Sequence, residues 1–162
     1  TRQGLSGTAE RSAFDKLPAV PLEESEALYR EAVEHLMPAA ADGRFEDCAE
    51  SMYRFGYRAG LMFAAQQGGA FAGPELTSLV ERIRAKGVRG VGQSSWGPTI
   101  YALLPNPQEA ERLVSELRAE DPEQRLDFTV TGVDNEGATI ETHTAHKLGG
   151  RTCSARFLAQ PD

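Results

Sequence analysis

The stretch VRGVGQSSWGPTIYALL, Val88–Leu104, decides the fold. Upstream of Val88 the apolar residues recur at steps of three and four, the period of a helix with one buried face. From Val88 onward the pattern shortens to two. Val88–Gly92 reads as a strand, and Thr99–Leu104 as a stronger one. Between them Gln93-Ser94-Ser95-Trp96-Gly97-Pro98 forms the connection. Two strands this close in sequence pair antiparallel, so the connection stands at one end of a sheet.

Working back from this hairpin, Leu76, Leu79, Val80 and Ile83 describe an amphipathic helix. Pro74 sits at its preferred starting position, and Lys86-Gly87 stops it. Phe45, Cys48, Ala49, Met52, Phe55, Ala59, Met62 and Phe63 mark the clearest helix of the chain. Gly56 and Gly60 lie inside it. Each costs about 1 kcal/mol relative to alanine, so the pair predicts close approach by another element. Leu22, Leu28, Ala32, Val33 and Leu36 share one face of an earlier helix, with Glu23, Glu24 and Glu26 near its positive end. Pro38 and Gly43 are expected to end that helix. Residues 1–9 read as loop, with a short helix over about 10–17.

Working forward, Pro105-Asn106-Pro107 ends the second strand, and Ala110, Leu113, Val114 and Leu117 mark a helix. Leu126, Phe128 and Val130 alternate with polar neighbours and predict a third strand. Residues 134–137 carry turn chemistry, and 138–142 suggest a last strand. The order from Pro74 is that of a βαββαβ unit. The expected fold is therefore α+β, a split ferredoxin-like sheet whose first strand is missing or upstream, with an inserted helix pair at 22–65. The helices should form a layer on one face of the sheet. The expected domain is 1–142, followed by a poorly ordered tail at 143–162. The chain begins with Thr1 and its first methionine is Met37, so it reads as a piece of a longer polypeptide.

The 162 residues suffice for one domain with a proper core. Seventeen basic against 24 acidic residues give a net charge of −7, which disfavours nonspecific binding to nucleic acid or to an anionic membrane. No apolar run approaches a membrane span. Cys48 and Cys153 form no paired motif, so neither a zinc site nor a disulfide framework is expected, and Cys48 reads as a small buried residue. A cytoplasmic location is the resulting expectation. His35 reads as a surface residue, and with His143 and His146 in the tail the histidines suggest no metal triad.

Three glycines, two serines, a glutamine and the single tryptophan are concentrated in residues 90–97. Successive N–H groups in such a loop can cradle an anion, and serine hydroxyls add donors. A tight hairpin anchored by Trp96 accounts for the same residues. Trp96 reads either as a stacking surface for an aromatic ligand or as that anchor. Arg89 reads either as added positive charge or as a solvated strand-end residue.

GVGQSSWGPTIYAL, residues 90–103, resembles the third glycine-rich motif of the GHMP kinase superfamily. Its QSSWGPT form resembles the β-ribofuranosylaminobenzene 5′-phosphate synthase branch. Gly4-Leu5-Ser6-Gly7 followed by Glu10 and Phe14, and Gln67-Gly68-Gly69 followed by Phe71-Ala72-Gly73-Pro74, agree with that branch. The resemblance covers about residues 2–140. It implies a C-terminal half, because the superfamily's Gly-Leu-Gly-Ser-Ser phosphate motif is absent. It implies a reaction joining phosphoribosyl pyrophosphate to an aminobenzoate with loss of CO2 and pyrophosphate, on the way to methanopterin. Mg²⁺, a phosphorylated small-molecule substrate, the N-terminal half of the same protein and a homodimer are the implied cofactor and partners. The site residues it implies are Ser6, Gln67, Gly92, Gln93, Ser94, Ser95, Trp96 and Gly97 for substrate, with Glu10 for acid–base work. No residue is implied as a metal ligand. An ATP-dependent small-molecule kinase and a non-catalytic ligand-binding or dimerisation domain are the competing readings. The isolated chain is expected to be inactive.

Overall fold

A computed structural model describes residues 4–133 and Asn135. The chain divides into two units, Thr1–Phe128 and Thr129–Asp162. The described part of the second, from Thr129 on, has neither helix nor strand. The expected strand at 138–142, the domain boundary after 142 and the tail all lie outside the described residues, as do His143, His146 and Cys153.

The first unit opens with α1 (Gly7–Phe14), which begins earlier than expected. Helix α2 (Leu22–Arg30) runs without a break into a π-helical segment, Glu31–Leu36, and then α3 (Met37–Ala41). Pro38 therefore does not end this helix. It lies in the first turn of α3, directly after the wider π turns. There its missing N–H and its ring are tolerated. Helix α4 (Phe45–Leu61) follows, then the short α5 (Ala64–Gln67) and α6 (Pro74–Ala85). Helix α7 (Pro107–Ala119) is capped by Asn106, whose side chain accepts from the Glu109 N–H at 2.9 Å.

Among the described residues the sheet has two strands, β1 (Gly90–Gln93) and β2 (Ile100–Leu103), paired antiparallel with Gly90 opposite Leu103 and Gln93 opposite Ile100. Of the expected ferredoxin-like sheet, the described residues contain the central hairpin alone. The expected third strand at 126–130 is not one. Leu126 and Phe128 do turn inward, between exposed neighbours. However, the Leu126 N–H is taken by the buried Asp121 carboxylate at 2.8 Å, and Phe128 packs on the core beneath Arg118. An alternating pattern reports one buried face, and here that face is met without a ladder.

Side chains alternate across a strand, so the hairpin has two distinct faces. Val91, Ile100 and Ala102 join Val80 and Ile83 of α6 and Leu113 and Leu117 of α7 in the main core. Each of the fully buried valine, isoleucine and leucine side chains among them contributes about 1.5–3 kcal/mol. The other face carries Gly90 and Gly92. A Cβ at Gly90 would stand 3.0 Å from that of Ala49, so α4 lies close against this face. Helices thus meet both faces of the hairpin, in place of the one-sided layer expected. The α2–α3 helix packs on α4, pinned by Glu24–Arg58 (2.7 Å) and Glu31–Arg54 (2.8 Å). Cys48 is half-buried rather than buried.

Candidate functional site

The β1–β2 connection is closed by its own backbone. The Ser94 N–H donates to the Thr99 carbonyl at 2.9 Å, and the Gly97 N–H donates to the Ser94 carbonyl at 3.0 Å. Ser95 holds a left-handed conformation, φ +51°, which leaves it and Ser94 exposed at the tip. Among the described residues the Ser94 and Ser95 hydroxyls and the Ser95 and Trp96 N–H groups have no hydrogen-bond acceptor.

Two glutamines fix the frame beneath this tip. Gln93 Oε1 accepts from the Ala72 N–H at 2.7 Å, while its Nε2 donates to the Ser95 carbonyl (2.9 Å) and to Gln67 Oε1 (3.2 Å). Gln67 is buried, and its Nε2 donates to the carbonyls of Gly60, Gly69 and Ala70 at 3.0–3.1 Å. One side-chain pair therefore ties the end of α4, the loop at 68–73 and the hairpin connection together. Gly60 makes this possible, because a Cβ there would collide with the Ala70 carbonyl.

Trp96 turns inward and is 8% exposed. Its ring meets Phe14 (5.5 Å) and Phe63 (5.0 Å) edge to face, and its indole N–H donates to Glu10 Oε1 at 3.0 Å. Phe14 and Phe63 also pack edge to face, closing an aromatic triad. The N-terminal segment reaches the same place, since a Cβ at Gly4 would overlap the Gly97 carbonyl.

The three glycine-rich segments are thus neighbours, and Glu10, Gln67, Gln93, Trp96 and Gly97 belong to one connected set. Ser94 and Ser95 cap that set. Ser6 is exposed at the start of α1, and its side chain makes no capping bond. Gly92 is apart from the tip, buried in the ladder beneath the Tyr101 ring. That burial pushes the Tyr101 phenol above its ordinary pKa. Arg89 is at the far end of β1 and pairs with Glu46 at 3.2 Å, so it adds no charge at the loop. Phe63 was expected only as helix core. Its role is visible in sequence just as an aromatic at the end of a helix, which does not distinguish a site from a core.

Two surface hollows lie elsewhere. One, of about 280 Å³, is lined by Glu34, His35 and paired arginines such as Arg44 and Arg54. The other, of about 390 Å³, lies between α2 and α4 at Leu28, Tyr57 and Leu61. Apart from Glu34, the carboxylates and guanidinium groups that line them are ion-paired within the chain, whereas the loop tip presents donors without acceptors.

The family model described as GHMP kinases C terminal matches residues 36–123, a little over half of the chain. The matched span contains Gln67, the hairpin and its connection, and stops short of Ser6 and Glu10 on the N-terminal side. No curated protein and no solved structure matches the chain.

Proposed function

The chain belongs to the GHMP kinase C-terminal family, and from that premise we propose that its hairpin loop binds the phosphorylated substrate of a synthase like β-ribofuranosylaminobenzene 5′-phosphate synthase. The reaction joins phosphoribosyl pyrophosphate to an aminobenzoate, and CO2 and pyrophosphate leave. The observation that carries this reading is the loop tip, where two hydroxyls and two successive N–H groups stand without acceptors above a fully engaged frame. Donors held in place before the ligand arrives cost little further ordering when it binds.

Roles follow from position. Ser94 and Ser95 contact phosphate oxygens. Gln93, Gln67 and Gly97 hold the tip. Trp96 is a positioning residue, because both its ring and its N–H are already engaged by Phe14, Phe63 and Glu10. Glu10 then orients the indole rather than moving a proton. Among the described residues no group of three His, Cys, Asp or Glu could hold a metal ion, so the Mg²⁺ that such a reaction implies would be held chiefly by the substrate's own phosphates. The chain's own contribution is anion binding and exclusion of water.

The test is calorimetric titration of the full-length protein with phosphoribosyl pyrophosphate, alongside CO2 release from carboxyl-labelled aminobenzoate with Mg²⁺ present. Ser94→Ala and Ser95→Ala should each weaken binding by about 1–2 kcal/mol, roughly five- to thirtyfold. The isolated chain should bind weakly or not at all and show no turnover. Unchanged affinity in both variants sinks the loop assignment. Tight ATP binding with phosphoryl transfer to a small alcohol assigns the protein to the kinases instead.

A further inference from the structure

Helix α1 grips the hairpin loop through one side chain. Glu10 and Phe14 lie four residues apart, so they share a face of α1, and both meet Trp96. Among the described residues, the Glu10–Trp96 bond at 3.0 Å is the one hydrogen bond that joins residues 4–16 to the rest of the chain, and no ion pair does so. Of the eight residues of α1 only Ala13 is buried, and Phe14 is 50% exposed. Residues 18–21, which lead on to α2, are exposed and carry neither helix nor strand. An isolated helix of eight residues is not stable in water, so α1 owes its order to what it docks on.

The grip falls on a residue that carries a tip donor. The Trp96 N–H and the Ser95 N–H before it are among the donors without acceptors. With α1 docked, the Trp96 side chain is held by Phe63, which follows α4, and by Phe14 and Glu10 together. Gly4 closes over the Gly97 carbonyl, one residue further on. With α1 away, Phe63 alone of these partners remains and the indole N–H turns to water. The backbone at 95–97 then gains freedom that an incoming ligand must remove, which lowers its affinity.

We propose that α1 is a latch on the loop: its docking on Trp96 and the binding of phosphate at the tip favour one another. The coupling rests on the loop's assignment as a phosphate site. It is reciprocal, so the factor by which the docked latch raises affinity is the factor by which phosphate tightens the latch. Glu10 and Phe14 are positioning residues, because they act on the tip through Trp96.

Trp96 is the single tryptophan of the chain, so its emission reports the latch. In the wild-type chain the emission should be that of a buried indole, poorly quenched by acrylamide. Phe14→Ala and Glu10→Ala should each shift it to the red and raise quenching. Far-ultraviolet circular dichroism should change little, since neither residue belongs to the main core. In the full-length protein the same variants should weaken phosphoribosyl pyrophosphate about fivefold or more by calorimetry, as the docked fraction falls. Glu10→Gln keeps an oxygen for the indole N–H and should restore both emission and affinity. Emission unchanged in Phe14→Ala and Glu10→Ala overturns the latch, as does a Glu10→Gln chain that behaves like Glu10→Ala. Full affinity in the α1 variants, while Ser94→Ala and Ser95→Ala still weaken binding, overturns the coupling and leaves the loop assignment standing. Full affinity in both serine variants overturns the loop assignment itself, and the coupling with it.

Discussion

Gln67 has its amide nitrogen against three carbonyl oxygens and its amide oxygen against a donor, so each end of the side chain can be read from its partners. The arrangement works for an amide alone. Gln67→Leu should lower stability by about 2–3 kcal/mol, because buried carbonyls lose their donor. Gln67→Glu should cost more at neutral pH, since a buried carboxylate would face those same oxygens. Protonation restores a donor, so the Gln67→Glu deficit should narrow between pH 7 and 5 while the Gln67→Leu deficit stays constant. Urea unfolding at both pH values decides this, and a Gln67→Glu chain as stable as wild type at pH 7 would contradict the bonding scheme. In sequence, Gln67 stood out through its glycine neighbours and a family resemblance. Nothing in the linear order joined it to Gln93, 26 residues on.

Helix α4 shows the same limit for a whole element. Its two interior glycines predict close approach, and they divide. At Gly60 a Cβ would strike the Ala70 carbonyl, whereas at Gly56 the nearest heavy atom would be the Tyr101 hydroxyl at 3.9 Å. Gly60→Ala should therefore destabilise by about 1–3 kcal/mol through overpacking. Gly56→Ala should stabilise by about 0.5–1 kcal/mol through helix propensity. Thermal melts of the two variants should shift in opposite directions, and a common direction would refute the packing described. The partner of Gly60 is a loop, not a second helix, which the spacing of small residues did not reveal. The α2–α3 helix is a parallel case: Pro38 signals a stop, and the preceding π turns carry the chain through it.

At the scale of the molecule, acid stability follows from how the helices are tied. Glu24, Glu31 and Glu120 all have pKa values below the ordinary carboxylate range. For Glu24 and Glu120 the chief cause is a hydrogen bond, from Arg58 and Lys86 respectively. For Glu31 burial acts upward, and the hydrogen bonds from Arg54 and Ser51 with the Arg54 charge outweigh it. A carboxyl whose folded pKa is depressed contributes stability above its unfolded value, about 4.3, and loses it as pH falls through the folded value. Stability should thus decline below about pH 4.3, and Glu31→Gln should flatten that decline in urea midpoints measured against pH, the more so because Glu31 is the least exposed of the three. An unaltered acid limb in Glu31→Gln would show that the Glu31–Arg54 tie adds no linkage.

Composition, periodicity and turn residues determined the class of this protein, the places of its main helices and the central hairpin, because each of these depends on residues within a few positions of one another. The glycine, serine and tryptophan content of residues 90–97 likewise singled out the loop. Only the tertiary structure decided that Trp96 points inward to Glu10, that Arg89 pairs away from the loop, and that Leu126 and Phe128 bury without joining a sheet. Those outcomes depend on partners tens of residues distant, and a side chain's environment is set by what packs against it, which a linear pattern reports only as buried or not.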